Sequence, residues 1–469
     1  MRNLLIAVTR NPLSLVGATL TTASALLIIS LFSLEFFGLR GGPYMGILSF
    51  LVLPAIFLLG LLLIPIGLVR ERRRRERAAA RGEVQTPFPV VDFNRPRTRN
   101  LAAGVFALTC INLVILTTAT YKGVQVMESQ QFCGQACHTV MQPEYTAYLN
   151  GPHAHVACVE CHIGPGASWF VKSKLSGSWQ LIAVTFNLYP TPIGTPVTNL
   201  RPARETCEHC HWPTRFVGDR LRVVTKYASD ETSSATKSVL MMRVGGREGA
   251  TAHGIHWHVD PGVRIRYRAD AKRQKIGDVE LTLKDGTVKV FKSAKIKESE
   301  LSLEWRTMDC VDCHNRPSHT FKLPEQEIDQ AIFDGRIDRS LPFVRREGLA
   351  AMKASYASAP VATAGITSRL AAFYRQSYPQ IATAKADAIV KASQTLADLW
   401  GKNVFPAMKV SWGTYPNNIG HDPFPGCFRC HDEEHATAKG ETITQDCSTC
   451  HSLLAVDDKD PAVLKQLQP

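Results

Sequence analysis

Residues 158–162 read CVECH, and the same pattern, Cys-x-x-Cys-His, returns four more times in the chain. The repeats are Cys207/Cys210/His211, Cys310/Cys313/His314, Cys427/Cys430/His431 and Cys447/Cys450/His451. At the cysteine and histidine frequencies of this chain, chance would supply about 0.01 such matches, so five carry a common meaning. A sixth pair lies in FCGQACHTVMQPEY (132–145), where Cys133 and Cys137 enclose three residues and His138 follows directly. Twelve of the thirteen cysteines and six of the fifteen histidines are thereby used. Tetrahedral zinc sites also use Cys-x-x-Cys pairs but need no histidine behind each pair. Disulfides suit an exported chain but leave the histidines unexplained. Two thioethers to porphyrin vinyl groups and one imidazole on the iron account for all three residues. Six covalently bound haem c groups are therefore expected, each with the motif histidine as proximal ligand. The third spacer of the first motif lengthens a loop without removing a reacting group. Cys110, in an apolar run, reads as a small hydrophobe.

A low-spin haem needs a second axial ligand. Outside the motifs, and setting aside His209 inside a spacer, histidines fall into five places. These are His153/His155, His253/His256/His258, His319, His421 and His435. Five places match the five regular motifs, which predicts bis-histidine ligation by His153, His253, His258, His319, His421 and His435. Met141, three residues behind His138, is either a thioether ligand to the first iron or core filler.

Three apolar stretches, at about 13–39, 44–69 and 101–121, are each long enough to cross a hydrocarbon core of about 20 helical residues. The first is long and lacks a small-residue cleavage site, which predicts an uncleaved anchor. Ten arginines lie between Arg70 and Arg99, and Arg40 alone stands between the first two stretches. The loop 70–100 is therefore expected in the cytoplasm and everything after about residue 122 in the periplasm. The arginine run could also suit nucleic acid, but its place between two spans favours topology over any nucleic-acid partner. The chain carries a net charge of +13, most of it in this anchor.

The expected domains are a three-span membrane anchor over 1–121 and a loop-rich haem domain with three motifs over 122–215. A small β-rich insertion follows over 216–305, where β-branched alternation surrounds an Asp-Gly turn. The fourth motif lies in 306–324. Residues 325–410 show three- and four-residue apolar spacing and read as helical, and 411–469 hold the last two motifs. The expected fold is thus a multihaem cytochrome c with little regular structure around its haems.

The stretches CHTVMQPEY (137–145), GPHAHVACVECHIGPGASWFVKSKLSG (151–177) and CEHCHW (207–212), behind a membrane helix, resemble the NapC/NirT family of membrane-anchored multihaem quinol dehydrogenases. The resemblance covers about 110 residues and implies a quinol site beside the first haem at the membrane surface. It implies Met141 as ligand to the first iron, Lys172 or Lys174 as the quinol-site lysine, and His153 as a distal ligand. Glu144 is the nearest carboxylate for such a site. This chain departs from the pattern in its three spans, its six motifs, the extra spacer and the position of Met141, one residue late. The wider layout is similar to inner-membrane multihaem cytochromes of metal-reducing bacteria.

The function these readings imply is quinol oxidation, with the membrane quinone pool as donor and a periplasmic cytochrome or reductase as acceptor. Two rivals are a non-enzymatic conduit docked on another membrane oxidoreductase subunit and a terminal reductase of a small inorganic substrate. The second requires an open iron position, and the histidine count leaves at most one.

Overall fold

A computed structural model describes residues 11–36, 52–81, 92–136, 138–164, 167–197, 200–212, 218–245 and 254–466. The chain divides into two compact units, residues 1–137 and 138–469. Three helices of the first unit are long and apolar enough to cross a membrane: α1 (Pro12–Phe36), α2 (Leu53–Ala79) and α3 (Pro96–Met127). The sequence placed Arg70–Arg77 in a loop. They instead continue α2, because Arg, Glu and Ala are good helix formers and Arg72 pairs with Glu76 one turn on at 2.9 Å.

Helices α1 and α2 run antiparallel and meet through small residues. A Cβ on Gly17 would come within 2.7 Å of the Gly60 carbonyl oxygen, so only glycine permits this approach. Ser14 donates to the Ile64 carbonyl at 3.0 Å, and Asn11 donates to that of Gly67. A π-helical turn, Phe132–Ala136, carries Cys133. One extra residue per turn is what a π-bulge absorbs, and this motif is the one with the extra spacer.

In the second unit α4 (His138–Leu149) is followed by a motif turn, α5 (Cys158–His162), then by α6 (Ala167–Thr185) and a second motif turn, α7 (Ala203–Cys207). Strands β1 (Gly218–Tyr227) and β2 (Ala235–Gly245) form a hairpin. A 3₁₀ turn (Ile255–Val259) leads to β3 (Arg264–Ala269), β4 (Ile276–Thr282), β5 (Val288–Ser293) and the short β6 (Arg306–Thr307). The Asp285-Gly286 turn joins β4 and β5, with Gly286 at φ +82°. The fourth motif turn is α8 (Cys310–Cys313). Helices α9 (Pro324–Phe333), α10 (Val344–Lys353), α11 (Ala359–Ser377), α12 (Pro379–Ala384) and α13 (Ala386–Asn403) come next. Strands β7 (His435–Ala436) and β8 (His451–Asp458) and the last helix, α14 (Ala462–Gln466), complete the order.

The β region is not self-contained. The antiparallel sheets run β1-β2-β8 and β6-β3-β4-β5-β7, so each draws a strand from the last 35 residues. Strand β2 has a free edge once β1 is paired, and β8 satisfies it, with Met242 opposite His451. The sheets thereby position two histidines of the C-terminal segment.

The helices of this region share a core of buried apolar side chains. Ile328, Leu341, Met352, Ile366, Leu370, Leu396 and Trp400 are almost wholly buried. Leu396→Ala should cost about 2–5 kcal/mol of stability, read as a lower denaturation midpoint for the helical signal of the full chain.

Candidate functional site

The regular motifs are single tight turns. The amide of His211 donates to the Cys207 carbonyl at 2.8 Å, that of His314 to Cys310 at 2.8 Å and that of His431 to Cys427 at 3.1 Å. A turn closed this way puts both thiols and the imidazole on one side. Asp309 caps the fourth turn by accepting from Val311, and Asp446 caps the sixth by accepting from Ser448.

Each regular motif histidine faces one histidine from elsewhere in the chain. The pairs are His162 with His319 at 6.1 Å between ring centroids, His211 with His153 at 6.1 Å and His314 with His256 at 6.4 Å. His431 faces His258 at 5.7 Å and His451 faces His421 at 6.1 Å. Two imidazole–metal bonds of about 2.0 Å, plus about 1 Å from each ring nitrogen to its centroid, give about 6 Å. The five pairs therefore have the spacing that two imidazoles on one iron require.

The ring orientations agree. His256 Nδ1 meets the Val244 carbonyl at 2.8 Å, His258 Nδ1 that of Ile255 at 2.8 Å and His319 Nδ1 that of Glu144 at 2.9 Å. His153 Nδ1 meets the Pro317 carbonyl at 3.2 Å and His431 Nδ1 that of Thr444 at 2.8 Å. A carbonyl only accepts, so each Nδ1 carries the proton and each Nε2 keeps its lone pair. His258 and His431 then present Nε2 lone pairs to each other 3.5 Å apart. Burial holds the pKa of His162, His258, His314 and His451 below the usual imidazole value, and the facing imidazole adds to the lowering. The neutral form is the one that binds metal. Among the described residues no three His, Cys, Asp or Glu side chains gather around a bare ion.

One expected distal ligand is corrected. His435 is buried, and among the described residues no motif histidine faces it. Its Nδ1 meets Asp432 at 2.8 Å and its Nε2 meets the Ile276 carbonyl at 2.9 Å, so both nitrogens are engaged. Of the crowded group it is His256 that stands beside His258 on the 3₁₀ turn, whereas His253 lies outside the described residues. Cys137 and the His138 side chain also lie outside them. Met141 is half-buried on α4. Lys172 is exposed, with its ammonium 4.5 Å from the centre of the Trp169 ring, and Lys174 is half-buried on the same helix. Glu144 is committed to Arg316, whose Nη2 lies 2.8 Å from both carboxylate oxygens.

Residues 95–193 match the NapC/NirT cytochrome c family, N-terminal region. The cytochrome c-type protein ImcH of Geobacter sulfurreducens is 41% identical over 449 residues, which cover 95% of this chain and 88% of that one. This chain belongs to the NapC/NirT cytochrome c family. No solved structure matches it. It is accordingly a multihaem cytochrome c of electron transport with covalently bound haem c, in a family of quinol dehydrogenase-type electron-transfer proteins.

In this NapC/NirT cytochrome the regular motifs neighbour one another in chain order. Cys161 lies near Cys210, and Cys207 near Cys310. Cys313 lies near Cys427, and Cys427 near Cys450.

Two spacer residues, overlooked in the sequence, lock the fourth and fifth motifs together. Arg429 donates to the carbonyls of Gly426 at 2.8 Å, Arg273 at 2.6 Å and Asp312 at 2.7 Å. The buried Asp312 carboxylate accepts from Tyr267 at 2.5 Å, from Arg306 at 2.9 Å and from the Asp309 amide at 2.8 Å. The signal was their charge: CVDCH and CFRCH each place a charged residue where a buried turn must satisfy it. Arg429→Ala should speed amide hydrogen exchange in Cys310–His314 by about 10-fold or more, since it leaves buried carbonyls unpaired.

Proposed function

We propose that this cytochrome oxidises a membrane quinol and passes the electrons through six haems to an acceptor on the periplasmic side. The observation that carries the reading is the set of five opposed imidazole pairs, joined to motif turns that neighbour one another in chain order. The pairs that would hold the irons of the five regular haems are His162/His319, His211/His153, His314/His256, His431/His258 and His451/His421. Met141 and His138, one helical turn apart on α4, are the residues that would hold the iron of the first haem. Haem c bound through two thioethers and two axial side chains supplies a one-electron iron couple.

The chain's own residues do the rest. The twelve motif cysteines fix position covalently. The carbonyl partners of the Nδ1 atoms set ring tautomer and angle. Lys172 and Lys174 are proposed to hydrogen-bond the quinol oxygens and relay the protons released on oxidation. The Glu144 carboxylate has no part in that relay, because Arg316 holds both its oxygens. The arginine run of α2 supports a cytoplasmic end for that helix, which directs α3 outward and the haem unit to the periplasm.

Quinol-driven haem reduction in detergent is the direct measurement. Replacing Lys172, Lys174 and Met141 together by alanine should slow it by about 100-fold while dithionite still reduces every haem. An unchanged rate removes the proposed site. Intact-mass analysis of native material should find six macrocycles per chain, and five would show that one motif is unloaded.

A further inference from the structure

Glu144 and Arg316 form a largely enclosed ion pair beside His319, with side-chain exposures of 17% and 7%. Arg316 lies two residues behind His314 but does not serve that motif. Its Nε donates to the His319 carbonyl at 2.6 Å, and its guanidinium lies 4.1 Å from the Tyr415 ring centre and 5.2 Å from that of Phe321. The His319 ring stands between the pair and His162. Its Nδ1 donates to the Glu144 carbonyl at 2.9 Å, and the Glu144 carboxylate waits 3.3 Å away. The carboxylate beside this imidazole is thus neutralised by a guanidinium that three aromatic and backbone contacts hold in place.

We propose that the Glu144–Arg316 pair sets the reduction potential of the haem attached at Cys158 and Cys161 by controlling the charge that His319 meets. The inference rests on the assignment of His162 and His319 as its axial ligands. A carboxylate that takes the Nδ1 proton of a ligating histidine makes the imidazole more basic and favours ferric iron. Arg316 holds both carboxylate oxygens, so His319 donates to a neutral carbonyl instead. Glu144 also lies on α4, the helix that opens with His138, so the same pair ties the first motif's helix to the ligand of the second. Glu144 and Arg316 are positioning residues: neither touches the reacting atoms.

The test is a spectroelectrochemical titration of the full-length, haem-loaded protein in detergent, with EPR on the same samples. Arg316→Gln releases the carboxylate toward His319 and should lower the midpoint of one haem. Glu144→Gln leaves the buried guanidinium uncompensated and should raise that midpoint. The double variant should return toward the wild-type value, and Arg316→Lys, which keeps the charge, should stay close to it. Should Arg316→Gln load poorly, the Glu144→Gln shift decides. Unmoved midpoints in Glu144→Gln and Arg316→Gln overturn the proposal. His319→Ala tests the underlying ligation by itself: one haem should turn high-spin. A high-spin signal there with unmoved midpoints sinks only the potential-setting role, whereas an all-low-spin spectrum sinks the ligand assignment and this inference together.

Discussion

Opposed imidazole rings about 6 Å apart are the constraint around which the second unit is built. Each pair joins a motif turn to a distant segment: His162 to His319, His211 to His153, His314 to His256, His431 to His258. A loop-rich chain that must hold such pairs needs its segments laced across one another. His319, behind the fourth motif, reaches back to the second, and His153, ahead of the second, reaches forward to the third. The lacing is what makes one body of turns that have little hydrogen-bonded structure of their own.

The regular secondary structure serves this lacing. The 3₁₀ turn Ile255–Val259 carries two ring partners one residue apart, His256 and His258, and so fixes the spacing between the fourth and fifth motifs. The turn is in turn pinned to β2 through the Val244 carbonyl. Strand β2 pairs with β8, whose first residue is the sixth motif's histidine. One hairpin therefore gauges the positions of three motif histidines. The Arg429–Asp312 carbonyl contact does the same directly between two motif turns. Backbone carbonyls recur as the partners because they accept without titrating, so the geometry does not change with pH.

Charge near the imidazoles is balanced locally. Asp312 meets Tyr267 and Arg306, and Glu144 meets Arg316. A buried carboxylate left alone would be costly and would act on any nearby iron. Pairing each one inside the fold removes the cost and leaves the environment of each ring defined by fixed dipoles. The membrane unit solves a different problem. Without water to expel, α1 and α2 associate through the close approach at Gly17 and Gly60 and through Ser14 and Asn11 on backbone carbonyls.

The sequence by itself determined the class of the protein. Five Cys-x-x-Cys-His repeats, three apolar stretches and the segment from Cys133 to His211 pointed to a membrane multihaem cytochrome, because covalent attachment and membrane crossing depend on local residue types and spacing. Helices over 325–402 and strands over 218–293 were legible from periodicity for the same reason. The partners of the motif histidines were not. His256 is one of a crowded group and His435 stands alone in the sequence, and only the fold sets one against His314 and locks the other between Asp432 and Ile276. Strand β8 was missed because its pairing with β2 spans more than two hundred residues. Glu144 read as a carboxylate for a quinol site, since nothing near it in sequence announces Arg316. Contacts between distant segments are decided by packing and by the need to pair buried polar groups, and neither leaves a mark in local spacing.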